Sequence, residues 1–244
     1  MAHYYKPDGT AAHFEGKGGK PTTLREARKL NLFPSVTTIV QDVLNKPGLI
    51  EWYKRQAILA ALTLPRNEGE TDASFVDRVL SDSVQEAADA AHFGMAAHHQ
   101  IEKRQGPYWD GLLNEMSSGG IVSQREFTQE VGVVGSGWAG RFDILLEVDG
   151  LKVLVDFKGR EWADKPPRPH DDWIYQLGGY HMALAEAGTF PNQWVSAMFN
   201  RAKEGEWHWH VWDEEDINRG CRGFLHMFEL WKIIKKYDPM VVPE

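Results

Sequence analysis

The chain has a single cysteine, Cys221, among its 244 residues. That scarcity excludes an internal disulfide framework and any four-cysteine zinc or iron–sulfur site. Also missing is an apolar run long enough to span a membrane, which takes roughly 20 residues. The first twenty residues lack the apolar stretch of a secretory signal, and they carry Asp8 and Glu15, which a transit peptide avoids. The expectation is a soluble chain in a reducing, cytoplasmic compartment, with no membrane partner. Positive charge is in short supply too, the formal net charge being −8. The deficit is uneven: residues 1–60 are net +4, residues 61–130 net −7 and residues 131–244 net −5. A local basic surface suffices for phosphate contact, so this balance leaves a nucleic-acid enzyme open.

Apolar residues make up 42% of the chain and aromatic residues 11%, enough for a sizeable core. The length fits one domain, residues 1–244. Within it, residues 1–33 are Gly- and Lys-rich at the start and expected to be partly loose. Residues 34–120 read as helical, and residues 121–244 as a sheet with closing helices. Ser35 is placed to cap a helix that Asn45-Lys-Pro-Gly48 ends, and helical periodicity resumes from Leu49 to Leu62. A long helix is expected from about Ala73 to Gln105, with a break near Gly94, and then a connecting segment holding Trp109. Strand-like runs follow at Phe127–Val134, Gly137–Val148 and Leu151–Phe157. Asp171 or Asp172 is expected to cap a helix reaching Ala187. Two more strands, Gln193–Phe199 and Glu206–Trp212, precede a terminal helix capped by Asp213 and ending in Lys232, Lys235 and Lys236, cations suited to a helix C-terminus. The pattern predicts an α/β fold: a mixed central sheet flanked by helices, with a helical N-terminal elaboration.

The most informative stretch surrounds Asp149-Gly150. Asp-Gly between apolar runs favours a two-residue hairpin turn, because both central residues need positive φ. With that turn Val148 faces Leu151, and in the same register Asp143 faces Asp156. Facing side chains in such a pair stand about 4.5–5.5 Å apart, and like charges there destabilise the sheet. A divalent cation between them would remove that cost. By the same argument, replacing either aspartate with asparagine is expected to leave the metal-free chain at least as stable. Lys158 shares the face of Asp156, and Phe157 points the other way, into the core. An Asp at the end of a strand as apolar as Leu151-Lys-Val-Leu-Val needs a cation or a hydrogen-bond network, since burying an unpaired carboxylate costs several kcal/mol. The layout reads as a metal-dependent hydrolytic site.

Gly94-Met-Ala-Ala-His98 and Glu102, then Glu130, Gly140-x-x-Asp143, Asp156-Phe-Lys158 and Gln176-x-x-x-Tyr180 follow one another in order. Together they resemble the RecB-like PD-(D/E)xK nuclease superfamily, whose core is restriction-endonuclease-like. Within it the chain is most similar to the family of mitochondrial genome maintenance exonucleases and their phage and bacterial relatives. Pro34-Ser-Val-Thr-Thr, Lys165-Pro166 and the aromatic-rich terminal helix add to the likeness, which covers residues 34–236. The resemblance implies Asp143, Asp156 and Lys158 as the catalytic set. It implies His98, Asp143, Asp156 and the carbonyl of Phe157 as metal ligands, and Gln176 with Tyr180, on one helix face, as substrate-binding residues. Mg2+ or Mn2+ suits such oxygen-rich donors, with the imidazole tilting toward Mn2+. Lys158 would position or deprotonate the attacking water. The family has Thr or Ser after the lysine where this chain has Gly159, so a hydroxyl is missing and a loop or phosphate is free to come close.

The implied activity is a DNA exonuclease acting from free ends, with single-stranded DNA as substrate, in replication, recombination or repair. A structure-specific endonuclease on the same core is the alternative, as is a non-catalytic DNA-binding accessory protein in recombination. Trp52, Tyr53 and Trp162 are candidates to stack on bases. Glu102 and Glu130 read equally as supports of the site or as surface charges. His99 stands second to His98 as a ligand. His208 and His210, alternating with Trp207, Trp209 and Trp212, read first as a half-exposed edge strand and only second as a metal strand.

Overall fold

The computed structural model describes residues 3–44, 47–118, 126–129, 132–148 and 150–241. Glu130, Asp149, Asn45 and Lys46, all singled out above, lie outside the described residues. The elements in chain order are β1 (Tyr4–Tyr5), α1 (Leu24–Leu30), β2 (Phe33–Pro34), α2 (Val36–Val43), α3 (Pro47–Thr63), α4 (Asp72–Glu102) and α5 (Pro107–Ser118). They continue with β3 (Glu126–Gln129), β4 (Gly132–Val134), β5 (Ala139–Arg141), β6 (Ile144–Val148), β7 (Leu151–Arg160), α6 (Asp171–Glu186), β8 (Gln193–Asn200), β9 (Trp207–Trp212) and α7 (Glu214–Lys235). The fold is α/β, with a mixed sheet flanked by helices. No described helix is long and apolar enough to cross a membrane.

The main sheet has the order β3-β6-β7-β8-β9, with β7 central. β6 and β7 form the expected hairpin, Val148 pairing with Leu151 and Ile144 with Val155, and Gly150 takes a φ of +82°. β7 and β8 run parallel; parallel neighbours need a crossover, and α6 is that crossover. Each face of the sheet has its own core. Leu154 and Met198 lie with Trp138, Leu177, Phe224 and Trp231 on the side of α6 and α7. Val153, Val155 and Phe157 lie with Ile101, Tyr108 and Leu112 on the side of α4 and α5. This period-2 division along β7 is why its sequence is apolar on both faces.

Some boundaries differ from the sequence reading. The N-terminal stretch is pinned, since β1 pairs with β2 and buries Tyr4 and Tyr5. The single run expected over 127–134 splits into β3 and β4, which belong to different sheets, and the run over 137–148 splits into β5 and β6 around Phe142 and Asp143. The segment with Trp109 is helix α5, and α4 passes Gly94 unbroken. Ser35 caps α2 by accepting from the Thr38 amide, and Asp213 caps α7 through the Asp216 amide. At α6 the cap residue is His170, with no side-chain cap bond, and Asp171 and Asp172 sit in the first turn, where carboxylates suit the helix dipole.

α6 and α7 cross where both backbones are bare. A Cβ on Gly178 would come within 2.5 Å of the Gly220 backbone, and one on Gly220 within 2.4 Å of the Ile174 carbonyl. α2 packs on the same helix, Val36 meeting Gly179. These contacts hold α6 close over the sheet and set the height of its inward face.

Candidate active site

The site forms where the β6–β7 hairpin opens. The ladder closes at Ile144 and Val155, and Asp143 sits on the bend just beyond. Its Oδ2 accepts the Phe157 amide hydrogen at 2.6 Å, so a carboxylate oxygen serves where a ladder carbonyl would. Paired residues in such a ladder exchange both backbone bonds, so the Phe157 carbonyl leaves β7 on this same edge. The Phe157 ring points away from it and is buried. On the other face Asp156 is 3% exposed. Lys158 brings its Nζ to 2.5 Å from Asp156 Oδ2, and that oxygen has no hydrogen-bond partner besides this ion-pair contact.

α6 closes the arrangement from above. Gln176 Oε1 accepts from Lys158 Nζ at 2.8 Å, and Gln176 Nε2 donates to Asp156 Oδ1 at 3.0 Å and to the Tyr180 hydroxyl at 3.2 Å. A single carboxamide thus fixes the ammonium and the carboxylate against each other. Burial, and after it the charge of Asp156, push the Tyr180 phenol well above its ordinary range, so it is a neutral O–H. Its ring lies over Gly140, where a Cβ would approach Tyr180 Cε1 to 2.6 Å. The glycine three residues before Asp143 is therefore a packing requirement of Tyr180.

α4 enters from the opposite side. Ala97 and Ile101 are buried and turn His98 toward the hairpin, where its Nδ1 stands 3.5 Å from Asp143 Oδ1. The imidazole also packs edge-on against Phe157 and Phe199. His99, on the exposed face, pairs at 3.9 Å with Glu102, so Glu102 serves the helix surface and does not reach the carboxylates. Gly94 has open space where a Cβ would stand, so packing alone does not demand a glycine there.

Burial first, and then the charge of Asp156, raise the Asp143 carboxyl above its usual range, partly opposed by the Phe157 amide and by Lys158. The cation that balances the pair here is Lys158, a partner within the chain. The two carboxylates and the adjacent imidazole are donors of the type that hold Mg2+ or Mn2+. Among the described residues, however, no three His, Cys, Asp or Glu side chains are gathered closely enough to form a ready metal cluster. The donors fit a divalent ion in kind.

Sequence reasoning missed two neighbours. Thr37, on α2, brings its Oγ1 to 3.5 Å from the Tyr180 hydroxyl; its signal was the Pro34-Ser-Val-Thr-Thr run, read as a helix start and as part of the resemblance, with no role given to Thr37. Trp173 lies under the Lys158 ammonium at 5.8 Å and the Arg160 guanidinium at 4.9 Å, and nothing local in the sequence marks it. Two other expectations are corrected. Trp162 is buried and donates its indole N–H to Glu206 at 3.2 Å, so it is no stacking platform. The space left by Gly159 is filled by the Phe199 ring, 2.9 Å from where a Cβ would stand. Trp52 and Tyr53 pack edge-on against each other on α3.

No family model matches the chain, and no curated protein matches it in sequence. Solved structures that match include the protein titled SSO0001, 13% identical, with 78% of this chain and 93% of that chain covered and a TM-score of 0.35. Another is a candidate exonuclease from Eubacterium rectale, 10% identical, with 66% of this chain and 69% of that chain covered and a TM-score of 0.36. Likeness of this order leaves the chemistry of the site to be argued from its own residues.

Proposed function

We propose that the chain is a metal-dependent deoxyribonuclease of the PD-(D/E)xK kind, hydrolysing phosphodiester bonds of DNA from free ends. The observation that carries this reading is the convergence of Asp143, Asp156, Lys158, Gln176 and His98 from three separate elements onto one small volume. A buried carboxylate, a half-buried one beside it and an ammonium are costly to assemble for structure alone, and the combination suits metal-assisted hydrolysis of a phosphodiester.

Asp143 and Asp156 would hold Mg2+ or Mn2+, with His98 and the Phe157 carbonyl completing the donors. A bound divalent ion supplies Lewis acidity toward the phosphate and lowers the pKa of its water. Lys158 orients the attacking water and balances charge on the phosphate oxygens. Gln176 keeps Lys158 and Asp156 at fixed separation, and the neutral Tyr180 hydroxyl offers a donor beside them. The exonuclease mode and the single-strand preference rest on the sequence resemblance; the geometry speaks for the hydrolytic centre itself.

The test is incubation with linear and with circular single-stranded DNA, each with Mg2+, Mn2+ or EDTA. Loss of the linear form alone, and only with metal, is the expected result. Loss of both forms would make the enzyme an endonuclease, and loss of neither would leave a DNA-binding accessory protein. Lys158→Ala should lower cleavage by at least about a hundredfold while metal still raises the melting temperature. Full activity in that variant would refute the assignment.

A further inference from the structure

A solvent-open cavity of about 490 Å3 lies beside the candidate site, between the loop 166–169, the edge strand β9 and the start of α7. Its position follows from strand register. Lys158 pairs with Met198 and Met198 with His208; Asp156 pairs with Ser196 and Ser196 with His210. Partners on neighbouring strands point to the same face, so His208 and His210 continue the face of Lys158 and Asp156. They stand two strand spacings away, about 10 Å. Both imidazoles line the cavity, and the proposed chemistry uses neither.

The walls have a definite character. Pro166 and Pro167 provide flat apolar surface, the half-exposed His208 and His210 provide imidazole rings, and Arg168 provides a cation, while Trp212 is buried behind them. Trp212 is held by its indole bond to Ser196 at 3.0 Å, and His210 packs edge-on against it. Two carboxylates also line the cavity, and Arg219 holds both, Asp216 at 2.7 Å and Asp171 at 3.6 Å, so their repulsion of an anion is reduced. Burial, aided by His208 and opposed by Asp216, holds His210 below its usual pKa, leaving a neutral ring that donates and accepts. Among the described residues the two histidines have no third donor placed for a metal.

We propose that this cavity is a subsite for one nucleotide of the DNA strand, holding the base against the prolines and the imidazoles of His208 and His210 and the phosphate at Arg168. The volume is in the range of small-ligand sites, apolar flat walls suit a base face, and a guanidinium suits a phosphate. The cavity stands about 10 Å, one or two nucleotides, from Asp156 and Lys158, with the intervening Ser196 and Met198 buried. The identity of the ligand rests on the nuclease reading, while the existence of the subsite does not.

The test is calorimetric titration of the full chain with thymidine 5′-monophosphate in EDTA, with inorganic phosphate as the comparison. The nucleotide should bind more tightly than phosphate. Arg168→Ala, on an exposed loop, and His208→Ala should each weaken it about tenfold, the cost of one lost contact, with unchanged melting curves, and His208→Gln should restore part of the affinity. On single-stranded oligonucleotides the same variants should raise KM about tenfold and change kcat much less. Unchanged nucleotide affinity in both Ala variants, or equal affinity for phosphate and nucleotide, would overturn the subsite even in an active nuclease. A wild type that binds the nucleotide in this cavity but cuts no DNA would keep the subsite and refute the nuclease.

Discussion

Asp143 accepts the Phe157 amide hydrogen while Asp156, on the facing strand, accepts from Gln176 and pairs with Lys158. The two carboxylates are thus supported unequally, and their replacements should behave unequally. Asp143→Asn keeps an oxygen for the Phe157 amide and removes a buried charge, so in EDTA near pH 8 it should be at least as stable as wild type. Asp156→Asn strands the Lys158 ammonium, and should lower stability by about 1–3 kcal/mol. This revises the expectation drawn from facing like charges alone, under which both variants are at least as stable as wild type. Thermal melts in EDTA decide it, and equal behaviour of the two variants would mean the network is not formed in solution. Both should be inactive, and both should lose the melting increase that metal confers.

Stability should also depend on pH through Asp143. Burial, and next the charge of Asp156, push its carboxyl from an ordinary 3.8 up to about 8. The folded state therefore holds a proton that the unfolded state has released. That contribution is fully present below about pH 4 and is lost as pH rises through about 8. In EDTA the melting temperature should fall from pH 5 toward pH 8, and Asp143→Asn should flatten that slope. Stabilisation by Mg2+ should grow over the same window, because the ligand must be deprotonated. An identical slope in the variant would place the titrating group elsewhere.

The hairpin and its register were legible because they rest on local chemistry, a turn dipeptide flanked by apolar-rich runs. That was enough to set Asp143 near Asp156 and to turn Phe157 away from Lys158. Gln176 and Tyr180 were legible as one helix face, and only the fold reveals that a single carboxamide ties Lys158 to Asp156. What stayed hidden depends on long-range packing. Gly140 is required by a tyrosine 40 residues later, and Trp173, 15 residues on from Lys158 and on another element, meets it only in the folded chain. β1 was invisible because two residues carry no periodicity, and its strand partner lies nearly 30 residues on.

The two adjacent histidines give a sharp comparison. His98 reaches Asp143, whereas His99 faces solvent and Glu102. His98→Ala should weaken the metal dependence of activity by about 10- to 100-fold, the scale of losing a ligand or its support. His99→Ala should change the half-saturating Mn2+ concentration by less than twofold. Calorimetric Mn2+ titration of both variants checks this, and a larger effect at residue 99 would mean that α4 is rotated from the orientation described.

Gln176 is the residue whose role is most open to being mistaken for simple packing. Its carboxamide accepts from Lys158 and donates to Asp156 and Tyr180, so it acts on the reaction through other groups. Gln176→Leu removes all three bonds and leaves buried polar atoms underbonded, a loss of about 1–3 kcal/mol. Gln176→Glu keeps the acceptor for Lys158 and sets a third negative charge against Asp156. If Gln176 positions Lys158, Leu should lower kcat by about 10- to 100-fold with a smaller change in KM, and Glu should move the pH–rate profile to higher pH by strengthening the hold on protons at the carboxylates. Tyr180→Phe keeps the ring over Gly140 and loses one hydroxyl, so its effect on stability should stay near 1 kcal/mol. A Leu variant that melts lower but retains the wild-type kcat and pH profile would reduce Gln176 to a structural residue.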